Sequence, residues 1–412
     1  MAHLKWPLVG VIVPCLLIGS IGYGTHYNII REKSTTVQII YEICLSYLWI
    51  CYVLAIVTPP GSPPKNFTPE EGQWKRYCHK CDNYKPPRAH HCKQCGKCVL
   101  KMDHHCPWTY NCVGHNNMIE FMKFLGMIMF MTTWCGWELG CKALDFYHDR
   151  NLPSYLINKW QLVSVIVFFP LDIFVFISIF LLWFRCVSNW IFKGMTQIEV
   201  WEWERIDSQF YTNRLWLQIR KNYQDLYGKQ LPKLTSCNLP TRYYEERMEE
   251  EGEEEGEEDR LVDEQFEMDD LRDSNQDNDT YDESVVPEEF TIDDIIFPYD
   301  LGIFSNIYSW FNNPFLWLLP VKPPGTGVKF EVTEFYELDQ LSLPWPPDGG
   351  NSFPPDEEVD VNSFSGQDLR NITKLRKKLD PRSRTSRNDW VNDYGENIGD
   401  FGVDIDTETY SL

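Results

Sequence analysis

The sequence predicts an all-α integral membrane protein with three parts: a four-helix transmembrane bundle, a cytosolic Cys/His-rich loop domain of little regular structure, and a partly disordered acidic C-terminal tail. Three observations support this fold class. Four long apolar stretches precede residue 190, seven of the 14 cysteines lie in one short loop, and the balance of charge changes near residue 210. The chain is therefore predicted to consist of two physically different halves.

The four apolar stretches are long enough to cross a bilayer, whose hydrocarbon core of about 30 Å needs about 20 helical residues. The predicted spans are residues 6–30, 37–57, 118–141 and 161–184. The third stretch is the least regular, because it contains Glu120, Lys123 and Glu138. The first stretch is longer than the apolar region of a signal peptide, so an uncleaved span is predicted. Asp172 lies in the fourth stretch, and we predict that it faces the bundle and is hydrogen-bonded to a neighbouring span.

The loops between the spans differ in their content of basic residues. The middle loop contains nine lysines and arginines, the loop after the first span contains two, and the loop after the third contains three. Basic residues are enriched in the cytosolic loops of membrane proteins. The middle loop is therefore predicted to be cytosolic, and both termini of this multi-pass chain are predicted to lie on the same side.

The charge of the two halves sets the predicted domain boundaries. Residues 1–210 contain 19 Lys and Arg against 15 Asp and Glu, whereas residues 211–412 contain 19 against 45. No nucleic-acid partner is predicted. The predicted domains are the first two spans, the cytosolic loop domain, the last two spans with a juxtamembrane segment, and the tail, at residues 1–64, 65–118, 119–210 and 211–412.

Three segments of the tail carry separate predictions. An acidic insertion near residues 244–289 contains too little apolar surface to form a core. An aromatic segment near residues 297–319 is interrupted by Asn312, Asn313 and Pro314, so it is predicted to dock on the membrane surface rather than to span it. The basic patch at residues 374–387 is predicted to be a solvated tail, which is the common state of such patches.

The middle loop has the cysteine spacing of a metal-binding domain. Two-residue gaps recur in Cys78–Cys81 and in Cys92, Cys95 and Cys98, and disulfides are disfavoured on the reducing side of a membrane. Structural zinc takes four Cys or His ligands, so two zinc ions would use eight. The loop offers seven cysteines and six histidines between residues 78 and 115. We predict two structural zinc ions in interleaved sites, with donors left over. The spacing alone does not decide whether Cys106, Cys112 or another cysteine is the spare thiol.

The loop resembles a known family at many fixed positions. Asp103-His104-His105-Cys106-Pro107-Trp108, followed by Asn111-Cys112-Val113-Gly114 and preceded by residues 85–92, resembles the DHHC family of protein S-acyltransferases. The close resemblance covers about residues 75–125. It implies one zinc site formed by Cys78, Cys81, His91 and Cys98, and a second formed by Cys92, Cys95, His105 and Cys112. These sites leave Cys106 unbound.

The resemblance also implies a mechanism and partners. Cys106 would accept an acyl group from palmitoyl-CoA and pass it to a substrate protein with a cytosolic juxtamembrane cysteine. His104 would act as the base and Asp103 would orient it, as in other Cys/His/acid sites. Residues 196–199 resemble the family's Thr-Thr-x-Glu segment, from which Gln197 departs, and the tail resembles the fungal branch, which implies the endoplasmic reticulum. Residues 298–302 with Asn306 resemble a segment that packs back near the membrane domain.

Two other functions are compatible with the residues. A non-enzymatic membrane scaffold that recruits cytosolic partners would need the zinc ions but not Cys106. An enzyme that acylates lipids or small thiols would need Cys106 but no protein substrate. Thioester labelling of a Cys106 variant separates the first alternative from palmitoyl transfer, and acyl transfer to a cysteine-bearing protein separates the second.

Overall fold

A computed structural model describes residues 7–236, 285–287, 289–312, 323–350 and 372–405 of the 412-residue chain. The helices in these ranges are α1 Pro7–Leu17, α2 Gly24–Asn28, α3 Thr35–Val57, α4 Met118–His148, α5 Lys159–Val187, α6 Gln197–Gln209, α7 Asn213–Tyr227, α8 Ile303–Phe311 and α9 Ile372–Leu379. The strands are β1 Tyr77–Cys78, β2 Asn83–Tyr84, β3 His90–Cys92, β4 Lys97–Val99, β5 His104–Cys106 and β6 Asn111–Val113.

Four helical segments are long and apolar enough to cross a membrane, which confirms the predicted bundle. They are Val9–Glu32, Thr35–Val57, Met118–Asn151 and Lys159–Phe192. The first combines α1, a π-helical turn and α2. The third and fourth helices continue beyond the predicted ends. In the third helix, Glu138 forms an ion pair with Lys33 at 2.9 Å. Because its charge is compensated in this way, the helix can continue past Glu138.

Asp172 faces the interior of the bundle, as predicted. It is 1% exposed, and its Oδ2 lies 2.8 Å from the position that a Cβ would occupy on Gly136 of α4. The predicted hydrogen bond is not found for its Oδ1, which has no partner within the described ranges. A buried carboxylic acid without partners for all its oxygens is costly in a bilayer. The close contact with a glycine shows that α4 and α5 pack tightly at this level.

The Cys/His-rich loop forms three short antiparallel hairpins, which we call the hairpin module (residues 77–113). β1 pairs with β2, β3 with β4, and β5 with β6. In the second hairpin His91 is opposite Cys98, and in the third His105 is opposite Cys112. Directly opposed residues of an antiparallel pair have Cβ atoms about 5 Å apart. Each of these two hairpins therefore presents one histidine and one cysteine to a common point.

The hairpin module is fixed to the carboxyl end of α3. The last carbonyls of a helix have no partner within the helix. The side-chain amide of Asn111 donates to the carbonyl oxygens of Ala55, Ile56 and Thr58, at 3.3, 3.1 and 2.9 Å. The Asn117 amide donates to the Cys112 carbonyl at 2.8 Å. These bonds hold the β5–β6 hairpin against the end of the bundle that is predicted to lie nearest the cytosol.

The described tail segments pack on α6, α7 and the hairpin module. The prediction of a solvated basic patch is wrong for Arg387, which is 3% exposed and donates to Glu202 of α6 at 2.8 Å. Burial of an arginine is possible here because a carboxylate partner is buried with it. Residues 237–284, which include most of the predicted acidic insertion, lie outside the described ranges. Ser236 precedes them and Asp294 follows them, and the Ser236 hydroxyl donates to the Asp294 carboxylate at 3.3 Å. The chain therefore leaves and re-enters the described part at neighbouring points.

Candidate active site and metal clusters

The eight predicted metal ligands form two groups of four. The first metal cluster contains Cys78, Cys81, His91 and Cys98, and the second contains Cys92, Cys95, His105 and Cys112. The potential ligand atoms within each group lie within 4.8 Å of one another. The two groups interleave along the chain, because Cys92 and Cys95 lie between His91 and Cys98. These are the same two sets that the family resemblance implies.

The spacing within each cluster fits a tetrahedral ion. In the first cluster His91 Nδ1 lies 3.4, 3.3 and 3.7 Å from the three sulfurs. In the second, His105 Nδ1 lies 3.6, 3.4 and 3.6 Å from its three. A tetrahedral zinc with bonds of about 2.3 Å to sulfur and 2.0–2.1 Å to nitrogen separates these atoms by about 3.6 Å. Both clusters can hold a metal ion, and both would be closed with four protein ligands.

Asp103 is fully buried and makes three hydrogen bonds. Its Oδ1 accepts from the Trp190 indole at 2.8 Å and from the backbone N–H of Gln197 at 2.9 Å. Its Oδ2 lies 2.8 Å from His104 Nδ1. Trp190 is in turn stacked on Trp310 of α8, with ring centroids 5.1 Å apart. The carboxylate is therefore held on one side by the end of the fourth span and orients His104 on the other.

His104 and Cys106 are two residues apart on β5, so their side chains lie on the same face of that strand. Burial alone would lower the pKa of His104, but hydrogen bonds to Asp103 and Cys106 raise its pKa to about 10. Burial alone would raise the pKa of the Cys106 thiol, but the hydrogen bond to His104 and the charge of that imidazole lower the pKa below its usual value. The thiolate is the nucleophilic form of cysteine. The pair therefore favours a thiolate beside an imidazolium.

Thr109 is a further contact of Cys106 that the sequence did not indicate. It is 1% exposed, and its hydroxyl lies 3.5 Å from the Cys106 carbonyl oxygen. Hydrogen bonds from its side chain and its backbone also lower the pKa of the Cys106 thiol. Donors aimed at a developing or existing negative charge stabilise it most when water is excluded.

If Cys106 is acylated as the resemblance implies, we expect Thr109→Val to slow acyl-enzyme formation about tenfold, because one hydrogen bond to a charged group contributes about 1.5 kcal/mol or more. Thr109→Ser keeps the hydroxyl and is the matched control, expected to react at the parental rate. The measurement is the initial rate of hydroxylamine-sensitive labelling from radiolabelled palmitoyl-CoA. A parental rate for Thr109→Val would show that the hydroxyl does not assist the thiolate.

The segment after the fourth span braces this site. Thr196 and Glu199 form a capping box at the start of α6. The Glu199 carboxylate accepts two hydrogen bonds from Arg88 of the hairpin module, both at 2.6 Å, and Arg88 also donates to the Gly194 carbonyl at 2.8 Å. Bidentate arginine–carboxylate pairs fix orientation as well as distance. The departure at Gln197 is compatible with the brace, because Asp103 accepts from its backbone.

The aromatic tail segment also contacts the membrane helices. Asn306 of α8 donates from its side chain to the Ile191 carbonyl at 3.0 Å. Ile303, Phe304 and Tyr308 of the same helix are exposed. The segment around residues 298–306, which resembles a family segment that packs near the membrane domain, thus packs against the end of the fourth span. Residues 313–319 of the predicted docking segment lie outside the described ranges.

An apolar cavity of about 400 Å³ opens beside Cys106. Its walls come from all four spans together with Cys106 and Trp108. The lining residues of α4 run from Phe121 to Cys135, which corresponds to about 21 Å at 1.5 Å per residue. A cavity of this volume is in the range of small-molecule sites, and burying a charged ligand against its apolar walls would be costly. Its shape suits a long hydrocarbon chain whose reactive end lies at the thiol.

The comparisons with known proteins agree with this geometry. Residues 72–204 match the DHHC palmitoyltransferase family. Palmitoyltransferase PFA4 of Debaryomyces hansenii is 51% identical over 408 residues, which cover 98% of this chain and 95% of that protein. Palmitoyltransferase PFA4 of Candida albicans is 41% identical over 461 residues, covering 98% and 99%. Palmitoyltransferase PFA4 of Saccharomyces cerevisiae is 35% identical over 422 residues, also covering 98% and 99%.

The similarity includes both the membrane-embedded half and the acidic half. Identity above one third over nearly the whole of each chain is too extensive to reflect a shared metal-binding motif alone. It therefore follows that this chain belongs to the DHHC palmitoyltransferase family and is a protein S-palmitoyltransferase.

Proposed function

We propose that Cys106 carries the acyl group as a covalent intermediate and that palmitoyl-CoA is the donor. The observation that carries this proposal is the position of Cys106, which lines the apolar cavity and lies on the same face of β5 as His104. His104 in turn lies 2.8 Å from Asp103. A nucleophile, a base and an orienting carboxylate in this order are the arrangement of cysteine acyl-transfer enzymes.

In the first step the Cys106 thiolate attacks the carbonyl carbon of the donor thioester. A new bond forms between that carbon and Cys106 Sγ, the bond between the carbon and the CoA sulfur breaks, and CoA leaves as a thiolate. His104 gives its proton to that thiolate. The products are free CoA, an acylated Cys106 and a neutral His104.

In the second step a cysteine thiol of the substrate protein gives its proton to His104. The resulting thiolate attacks the carbonyl carbon of acyl-Cys106, its bond to that carbon forms, and the bond to Cys106 Sγ breaks. The product is an S-acylated protein, and Cys106 returns as a thiolate beside protonated His104. Ping-pong kinetics are expected, because CoA leaves before the protein reacts.

We assign zinc to both metal clusters. Each cluster has three cysteines and one histidine, a ligand set typical of structural zinc. With four protein ligands neither ion would have an open position, so the metal would contribute folding free energy to a module of two- and three-residue strands. Its contribution to catalysis would be to hold the β5–β6 hairpin, which carries His104 and Cys106.

The cavity supports a long acyl chain as the transferred group. Each CH₂ moved from water into an apolar environment contributes about 0.8 kcal/mol. The cavity ends among Gly22, Thr132 and Cys135, far along the spans from Cys106. We propose that the chain extends from the thiol toward these residues while CoA remains outside the bilayer.

We further propose that the hairpin module and both termini are cytosolic and that the protein resides in the endoplasmic reticulum. Support for the topology is the excess of basic residues in the middle loop. The organelle is proposed only from the resemblance of the tail to the fungal branch of the family. Substrates would be proteins whose cysteines lie next to the cytosolic face of the membrane, where Cys106 can reach them.

The decisive experiment uses purified full-length protein with labelled palmitoyl-CoA. We expect Cys106→Ser to retain two zinc ions per chain and to lose all hydroxylamine-sensitive label, because serine is a much weaker nucleophile here. Cys44→Ser is the matched control, since Cys44 lies in α3 outside the cavity lining and both metal clusters, and it should label like the parent. Unchanged labelling of Cys106→Ser would contradict the proposal.

The same preparation separates the alternatives. A scaffold would bind zinc but take no label in the parent protein. An enzyme that acylates small thiols would take label yet fail to transfer it to a cysteine-bearing membrane protein. Loss of label from the enzyme, with its appearance on the added protein, supports the proposed reaction.

A further inference from the structure

The last described segment of the tail, residues 387–405, lies on the hairpin module. Backbone hydrogen bonds join it to the edge of β3. Asp404 donates its N–H to the His91 carbonyl at 2.8 Å, and Lys93 donates its N–H to the Gly402 carbonyl at 2.9 Å. Residue 403 forms an antiparallel bridge with Cys92 between these two bonds. The segment thus adds a short third strand to the hairpin that carries ligands of both metal clusters.

The side chain of Asp404 points at the first metal cluster. The residue is 2% exposed. Its Oδ2 lies 3.9 Å from His91 Nε2 and 2.5 Å from Lys80 Nζ. Burial of a carboxylate is costly unless opposite charge or hydrogen-bond donors face it. Lys80 and His91 both belong to the hairpin module, more than 300 residues earlier in the chain.

The orientation of the His91 ring indicates how Asp404 can act on the first metal cluster. Its Nδ1 faces the three sulfurs of the cluster. A histidine that binds a metal through Nδ1 carries its hydrogen on Nε2. In metal sites that second nitrogen almost always donates to a carboxylate, a carbonyl or water, and the acceptor fixes the ring and increases the basicity of the ligand. Asp404 is the carboxylate on that side of His91, and its Oδ2 lies at ion-pair distance from Nε2, 3.9 Å away.

We propose that Asp404 is a positioning residue for His91 and that the C-terminal segment thereby completes the first metal cluster. The inference rests on the proposed occupancy of the clusters by zinc. It assigns to the far end of the tail a part in a site that otherwise consists of loop residues. Asp404 acts through His91 and does not touch the reacting atoms.

The segment is anchored at a second place, which holds Asp404 in register. Glu396 accepts two hydrogen bonds from Arg185 at the end of the fourth span, at 2.9 and 2.6 Å. The Glu396 carbonyl also accepts from the Trp201 indole at 3.0 Å. The Trp201 ring packs edge-on against Trp390, with ring centroids 5.1 Å apart. The membrane helix, α6 and the first metal cluster are thus joined through one short segment.

Gly402 shows how closely the segment approaches the second cluster. Its φ is +88°, and an added Cβ would lie 2.6 Å from the Cβ of His105. A side chain at this position is disfavoured both by its left-handed backbone and by this contact. Only glycine lets the segment lie flat on the hairpins with Asp404 facing His91.

The test measures zinc release from full-length protein in detergent under excess chelator, with mass-spectrometric mapping of the cysteines that become alkylated. We expect Asp404→Asn, which keeps the size of the side chain, to release one of two zinc ions about tenfold faster, since such partners change metal affinity about 10–100-fold. Cys78, Cys81 and Cys98 should be alkylated first. Asp393→Asn is the matched control at an 83% exposed side chain of the same segment, and its release should be parental.

Gly402→Ala is a second variant that leaves the carboxylate in place. It should displace the segment and accelerate release from both clusters. Parental release rates in both Asp404→Asn and Gly402→Ala would overturn the inference. So would an equal acceleration at both clusters in Asp404→Asn, because that result indicates general loosening of the fold. A parent protein without zinc would overturn the metal assignment itself, which distinguishes the two failures.

Discussion

Replacing His104 with glutamine is expected to slow acylation of the enzyme by about 10²–10⁴-fold, the usual contribution of a positioned acid or base. Glutamine keeps a hydrogen-bonding side chain of similar length but can neither hold the proton of Cys106 nor give it to CoA. The loss should appear in the rate of the first half-reaction, measured as the burst of CoA release in rapid mixing. Zinc content should remain at two ions per chain, because His104 belongs to neither metal cluster.

The matched control is His79→Gln, since His79 is an exposed histidine of the same module. It should acylate at the parental rate. Asp103→Asn should also be slow, and the double variant with His104→Gln should be little slower than His104→Gln alone. Residues that act as a unit are strongly non-additive. If the two effects multiply instead, Asp103 and His104 act separately, and the proposed orientation of the imidazole by Asp103 is wrong.

The distant partners of Asp103 could not be predicted from the sequence. Asp103, His104 and Cys106 are contiguous enough for a motif to identify them. Trp190 and the backbone of Gln197 lie about 90 residues away and contact the same carboxylate. A tryptophan at the end of a span is expected at any membrane interface. Nothing in its local pattern distinguishes an interfacial anchor from a donor to a buried carboxylate.

The spans were predictable because hydrocarbon thickness imposes a length and an apolar composition on each helix separately. The end of the third span was harder to predict, because the charge of Glu138 is compensated by Lys33, which lies on another element. The same limit applies more strongly to the tail. Arg387 and Asp404 look like ordinary charged residues of a polar segment. Their burial is compensated by distant partners, which include Glu202 for Arg387, and Lys80 and His91 for Asp404. Such pairings depend on the fold and leave no local periodicity.

The buried charge cluster around Glu202 gives the largest expected effect on stability. Glu202 accepts from Arg387 at 2.8 Å and from Arg205 at 2.9 Å, and Arg205 forms an ion pair with Asp348 at 2.8 Å. All four residues are at most 3% exposed. The cluster joins α6 to two separate tail segments. Removing one partner of a buried ion pair typically costs about 3–5 kcal/mol, because it leaves an uncompensated charge.

We therefore expect Arg387→Met to lower the apparent melting temperature in detergent by several degrees or more, measured by tryptophan fluorescence. Arg382→Met is the matched control. Arg382 forms ion pairs with Asp380 and Asp393 at a partly exposed site, and such pairs contribute about 0–1 kcal/mol. Equal shifts for the two variants would show that the Glu202 cluster contributes no more than a surface pair.

The pH dependence of the same cluster has a definite sign. Burial alone would raise the pKa of Glu202, but the charges of Arg387 and Arg205 lower its pKa to about 2, from an ordinary value of 4.5. A carboxylate with a lowered pKa contributes stability that is fully present above its unfolded pKa and is lost as the pH falls through the folded one. The difference in melting temperature between the parent and Glu202→Gln should therefore be constant above about pH 5 and shrink toward pH 2. Comparing the two proteins at each pH cancels the effects of acid on the metal clusters. A difference that grows on acidification would contradict the assigned charge state of Glu202.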